Sequence, residues 1–121
     1  MPVVKIEIMK GRPKEYKSTI FECIYEALDI AISVPRERIT LKLTENDETC
    51  FVPSPERTSQ FILIEIILLP GRDAVLKKSA IEEITRLLGE KLGIVPNDIL
   101  IIFFDPSKEN WGHKGLPATH W

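Results

Sequence analysis

The sequence predicts an α+β fold: two βαβ units in succession, joined into one four-stranded mixed sheet with two helices on one face. Three observations predict it. Residues 1–12, MPVVKIEIMKGR, overlay residues 61–72, FILIEIILLPGR, at an offset of sixty, and both read as strands ending in Gly-Arg. An amphipathic segment follows each, closed by Val34-Pro35 in one half and Val95-Pro96 in the other. A new apolar strand starts just beyond each Val-Pro.

The first strand, Val3-Val4-Lys5-Ile6-Glu7-Ile8, alternates apolar and charged residues, the period of a strand buried on one face. Tyr16, Ile20, Cys23, Ala27, Leu28 and Ala31 then recur at helical spacing, and Pro13 suits the first helical position. Pro35 cannot continue a helix, and Ile39-Thr40-Leu41-Lys42-Leu43 begins the second strand. The polar stretch from Thr44 to Gln60 holds two prolines and joins the halves. Phe61 to Leu69 supplies the third strand. Leu76, Ala80, Ile84, Leu87 and Leu88 mark the second helix, with Asp73 placed to cap it. Pro96 stops that helix, and Ile99 to Phe104 forms the fourth strand. Phe51 and Trp111 sit at matching places in the loops that follow, again sixty apart. The reading is a single domain, residues 1–121, built of repeats at 1–51 and 61–112 with a linker at 52–60.

The strands of the second half are the more apolar, as expected of strands covered on both faces. A sheet with helices on one side leaves its other face bare, and an apolar bare face calls for burial against other subunits. Oligomerisation is the expectation.

The composition bounds the rest. At 121 residues, 44% hydrophobic and 28% charged, the chain has the balance of an ordinary soluble domain with a real core. A net charge of -2 and the lack of a basic run argue against nucleic acid and anionic lipid as partners. Lys5, Glu7 and Lys10 interrupt any signal-like apolar run, and Phe61 to Leu69 is too short to span a bilayer. Two cysteines, Cys23 and Cys50, lack metal spacing and are too few for a disulfide scaffold. They read as reduced thiols of a cytoplasmic protein. The two histidines lack ligand partners at metal spacing, so no metal is expected.

Pro2 is the most informative single residue. With Met1 removed, it becomes a secondary amine fixed at the end of a sheet. A buried, desolvated amine loses basicity and can act as general base or nucleophile near neutral pH. Ile62 holds the matching place in the second half, so the chain offers one such amine.

These residues resemble the tautomerase superfamily, whose members carry an N-terminal proline on a βαβ unit. The first half is similar to a 4-oxalocrotonate tautomerase subunit through Pro2, Gly11-Arg12, Pro35, Leu43-Thr44-Glu45 and Phe51. The double-length chain is similar to malonate semialdehyde decarboxylase and its relatives through Gly71-Arg72, Pro96-Asn97-Asp98 and Glu109-Asn110-Trp111-Gly112. The resemblance implies a tautomerase fold and a cofactor-free enzyme assembled as a homotrimer. Its proline nitrogen would move a proton on a small 2-oxo or enol carboxylic acid, an anionic substrate. It also implies substrate roles for Arg72, with Arg12 or Arg38 assisting, and aromatic walls at Trp111 and Phe51. A guanidinium suits this chemistry because it grips a carboxylate with two parallel hydrogen bonds and stabilises a developing enolate.

Two departures weigh against the decarboxylase branch. Arg38 falls where that branch carries a water-activating aspartate, and Pro70 replaces the first arginine of its Arg-Pro-Arg run. Decarboxylation or hydration is therefore the alternative activity, and a trimeric binding protein without chemistry is the non-enzymatic one. In the tail, His113 and Lys114 replace apolar residues beside the implied pocket, where they either recruit an anion or remain solvated. His120 and Trp121 have no supporting constellation in the sequence.

Overall fold

A computed structural model describes residues 2–121, and their backbone follows the repeat. Strand β1 (Val3–Met9), helix α1 (Lys14–Ile32) and strand β2 (Thr40–Asn46) form one βαβ unit. Strand β3 (Ile62–Ile67), helix α2 (Ala74–Leu92) and strand β4 (Ile99–Phe104) form the other. A short hairpin, β5 (Gly112–His113) with β6 (Leu116–Pro117), follows them.

The four long strands make one mixed sheet in the order β2-β1-β3-β4. Each unit pairs its own strands in parallel, and the units meet at β1 and β3, which run antiparallel with Ile6 opposite Ile64. One side of the sheet presents Val4, Ile6, Ile8, Ile62, Ile64 and Ile66, none more than 3% exposed. Against it lie Ile20, Ile24, Leu28, Ala80, Ile84 and Leu88 of the two helices, all at 0%. Fully burying one such aliphatic side chain stabilises the fold by about 1.5–3 kcal/mol, so this single layer carries the architecture.

The helix boundaries show how closely the halves match. Asp73 caps α2, its carboxylate accepting the Leu76 N–H at 3.0 Å. In α1 the helical residues begin at Lys14, and Pro13 stands one place earlier as an extended cap; its fixed φ suits either position. Both helices end in a left-handed residue, Ser33 (φ 56°) and Gly93 (φ 67°). The next N–H, of Val34 or Ile94, then reaches back to Leu28 or Leu88 at 3.3 Å. Lys17 reaches Glu45 at 2.9 Å, and Lys77 reaches Asp105 at 2.6 Å, tying each helix to the end of its unit's second strand.

Two expectations change in detail. Strand β2 runs on to Asn46, deep into the polar stretch, because Asn46 stays in register with Met9 and its side-chain amide donates to Glu7 and to the Ile8 carbonyl. The apolar second half is not covered on both faces within one chain. Leu100, Ile102 and Phe104 of β4 point away from the helices and are 38–42% exposed. Beside them on the open face lie Lys5, Lys42 and Glu65, which share one rank of the sheet.

The comparison of the two C-caps yields a stability prediction. A non-glycine residue in the left-handed region carries a steric penalty of roughly 1–2 kcal/mol, partly offset by the extra chain entropy of glycine. Ser33→Gly should raise stability by about 0.5–1 kcal/mol and Gly93→Ser should lower it by a similar amount, read from urea midpoints at unchanged slope.

Candidate active site

The antiparallel seam decides which residues can meet. Because β1 and β3 run in opposite directions, the start of β1 lies at the same end of the sheet as the finish of β3 and β4. The finish of β1 and β2 lies at the other end, roughly 20 Å away at the usual rise per strand residue. Pro2, Arg38, Arg72 and Trp111 therefore gather at one end, and Arg12 and Phe51 at the opposite one.

At the first end Pro2 is buried, and its carbonyl accepts the Thr40 N–H at 3.0 Å. A short 3-10 turn, Arg36–Arg38, delivers the chain into Thr40. Arg36 is engaged there: it pairs with Glu22 at 2.8 Å and stacks over Tyr25 at 4.5 Å. Arg38 is exposed, and its guanidinium makes no hydrogen bond or ion pair with the described residues. Gly71, at φ 128°, makes the turn out of β3 and leaves Arg72 half-buried directly before the Asp73 cap. Arg72 likewise has no hydrogen bond or ion pair among the described residues.

A cavity of about 560 Å³ opens beside Pro2, lined by Glu37, Arg38, Thr40, Leu69, His113 and Trp121. Pro2, Arg72 and Trp111 are at this end but do not line it. The Trp111 indole N–H donates to the Pro106 carbonyl at 3.1 Å, and its own carbonyl accepts the Ala118 N–H at 2.9 Å. Trp111 thus anchors the tail, and the indole facing the cavity belongs to Trp121. Of the lining, the sequence reading named Arg38 and placed His113 beside the pocket, and it missed Glu37, Leu69 and Trp121. Thr40 carried a signal in its place beside Arg38, whereas Trp121 lies beyond the repeat and has no counterpart to flag it.

The opposite end is the same scaffold filled in. Arg12 donates to the Ser59 carbonyl and hydroxyl at 3.3 and 3.4 Å and lies 5.2 Å from the centre of the Tyr16 ring. Phe51 stacks on Phe61 at 5.7 Å, and Arg57 covers the Phe61 ring at 4.7 Å. Asp98, only 1% exposed, accepts both the N–H and the hydroxyl of Thr58. Asn97 donates to the Glu56 carbonyl at 2.9 Å. Residues 56–61 occupy the space corresponding to the cavity, over a fully buried Ile62 where the other end has Pro2.

Away from both ends, burial and the nearby Glu26 push the Cys23 thiol up to about 11. At pH 8 about 0.1% of such a thiol is thiolate. Cys50 is exposed. A disulfide-exchange reagent should therefore titrate one thiol quickly in the native protein, that of Cys50. Cys23 should react only on unfolding, and native Cys50→Ser protein should show no fast phase.

Comparison with known proteins agrees with this architecture. Residues 43–114 match the protein family described as tautomerase enzyme. A 2-hydroxymuconate tautomerase of Comamonas testosteroni is 39% identical over 54 residues, 45% of this chain and 86% of that protein. Native fused 4-OT superposes with a TM-score of 0.86 at 18% identity, covering 98% of this chain and 97% of that one. A fused 4-OT solved as a symmetric trimer gives 0.84 at 22% identity over 97% and 96%. Malonate semialdehyde decarboxylase gives 0.82 at 18% over 92% and 89%. At these identities the solved structures speak for the fold.

Proposed function

The chain belongs to the tautomerase family of enzymes, and we propose that it is a cofactor-independent enol–keto isomerase whose base is the amine of Pro2, freed by removal of Met1. Met1 itself lies outside the described residues. The observation that carries this reading is the coincidence, at one end of the sheet, of a buried Pro2 with Arg38, which lines the cavity, and Arg72, which stands at the same end outside the lining; the described residues leave both guanidinium groups unpartnered. Folding gives Arg36 and Arg86 carboxylate partners; Arg38 and Arg72 remain available to a ligand.

The substrate is a small 2-oxo or enol carboxylic acid. One guanidinium holds the carboxylate, and the other faces the oxygen on which charge develops. The prolyl nitrogen takes the enol hydroxyl proton and returns a proton to the neighbouring carbon. The product is an isomer of the substrate, so no co-reactant is consumed. The amine acts only when unprotonated, so the rate falls as pH drops through its pKa. Adjacent guanidinium charge disfavours its ammonium form and keeps it in use closer to neutrality.

Each chain has one such site, because Ile62 replaces the proline at the far end and the linker fills the space above it. Arg12 and Phe51 serve there to close the structure. The active assembly is a homotrimer: several of the solved fused 4-OT structures are trimers, and Leu100, Ile102 and Phe104 offer the apolar face that such an assembly buries. The free Cys23 and Cys50 suit a reducing compartment such as the cytoplasm. One observation favours a second reading. Glu37 lines the cavity beside Arg38, and its carboxylate could activate water for decarboxylation or hydration of malonate semialdehyde despite the arginine next to it.

Mass spectrometry of the N-terminus combined with proton-transfer assays tests the proposal. Met-free protein should isomerise phenylenolpyruvate or 2-hydroxymuconate. Pro2→Ala should lose about 10²-fold or more in kcat, and protein retaining Met1 should be equally poor. Arg38→Ala should lose at least about 10-fold in kcat/KM, whereas Arg12→Ala should stay within about 3-fold and lose stability instead. Full activity in Pro2→Ala sinks the mechanism. Turnover of malonate semialdehyde that depends on Glu37 establishes the second reading.

A further inference from the structure

We propose that the cavity at the Pro2 end selects a monocarboxylate with a flat apolar tail over a dicarboxylate, and that Trp121 is the residue setting this preference. The inference rests on the reading of that end as the tautomerase site and deepens it.

The lining is of two kinds. Arg38 is exposed and without a partner among the described residues. Leu69, Trp121 and His113 are the apolar and ring-bearing members of the lining. The Trp121 ring system meets the His113 ring edge-on, centroids 6.1 Å apart at 81°, so the two form one aromatic wall. The indole N–H is already used, donating to the Leu116 carbonyl at 3.1 Å, and the Trp121 backbone N–H donates to the Ala118 carbonyl at 3.2 Å. The wall therefore offers the cavity apolar ring surface from Trp121 and no indole donor.

Charge points the same way. Arg38 is the one arginine or lysine in the lining, and Glu37 stands beside it as a carboxylate. A ligand with one carboxylate places it on Arg38, the arginine of the described lining. A second carboxylate would meet Leu69, the Trp121 ring and at most one His113 imidazole N–H, with no second arginine or lysine among the described lining residues to offset its lost water. A planar unsaturated or aryl tail stacks there instead. The volume of about 560 Å³ accommodates such a ligand.

Nothing in the repeat foreshadows this wall. The second repeat ends near residue 112, and the wall is built by the hairpin and final turn, residues 112–121. Lys114 (φ 53°) and Gly115 (φ 78°) reverse the chain in that hairpin, and the buried Ala118 anchors the turn at 7% exposure.

Equilibrium binding of trans-cinnamate and cis,cis-muconate, two ligands that do not turn over, tests the proposal without needing catalysis. Wild-type protein should bind cinnamate about 10-fold more tightly than muconate. Trp121→Ala should weaken cinnamate about 3–10-fold and narrow the ratio, the scale of one aromatic contact. Trp121→Phe should recover most of the loss, which a merely structural defect would not allow. In turnover of phenylenolpyruvate, the Trp121→Ala loss should fall on KM more than on kcat. Muconate binding as tightly as cinnamate, or an unchanged ratio in Trp121→Ala, overturns the inference. Cinnamate preference in a protein that isomerises nothing would uphold the selectivity and remove the tautomerase reading. Pro2-dependent turnover with a preference for muconate would do the reverse.

Discussion

The antiparallel pairing of β1 with β3 is the constraint on which everything else depends. Each βαβ unit alone has a parallel pair and one helix, too little to bury an apolar face. Joined at the seam, the two units share a core in which Ile6 and Ile64 lie opposite each other beneath both helices. The same pairing fixes the distribution of function. Units related by an antiparallel seam point their equivalent ends in opposite directions. Equivalent residues beyond the strand ends, such as Arg12 and Arg72, therefore cannot cooperate in one site of one subunit, whereas equivalents near the middle of the seam, such as Lys5 and Glu65, lie side by side.

The distribution of charge follows from this. Water satisfies an exposed guanidinium, so whether it also finds a protein partner depends on which acceptors the fold brings within reach. Arg12 sits where the linker folds back and is absorbed by Ser59 and Tyr16. Arg72 occupies the equivalent turn at the other end, where no linker returns, and the described residues leave it free. Arg36 and Arg38 repeat the contrast two residues apart: one is fixed on helix α1 by Glu22 and Tyr25, and the other faces the cavity. The availability of a cation is thus a property of where the chain turns.

Much of the fold was legible because periodicity and repetition are local signals. Both helices, four strands, the Asp73 cap and the placement of both helices on one face follow from apolar spacing and from Val-Pro punctuation. The ends of elements were less legible: β2 extends to Asn46 because a cross-strand amide replaces the apolar signal. Of the proposed site, the sequence marks the Pro2 end and leaves the cavity walls unmarked. Pro2, Arg38 and Arg72 stand at turns, where the sequence marks position. Arg12 and Phe51 carry the same marks yet lie at the other end, since strand direction across the seam is a tertiary fact that no single repeat records. Trp111 matched the pattern and proved to be an anchor, bonded to Pro106 and Ala118. Its position in the chain says nothing about which way its ring turns.

A duplicated scaffold starts with two equivalent ends, and three local differences make them unequal. The first is the residue at the head of the strand, Pro2 at one end and the mid-chain Ile62 at the other. The second is the linker, which returns across the far end and is held there by Asp98 and Asn97. The third is the tail, which has no partner in the first half and adds a wall at the end the linker leaves open. Of these, the linker is the most consequential. A proline at residue 62 would carry an amide nitrogen without a basic lone pair, because residue 62 lies mid-chain, and it would still lie beneath the closure built by Phe61, Arg57 and Thr58. Restoring a second site would therefore require a new chain terminus at that strand and the dismantling of the closure with its buried carboxylate, which a single substitution at Ile62 could not supply. The asymmetry is built into stability as well as into chemistry.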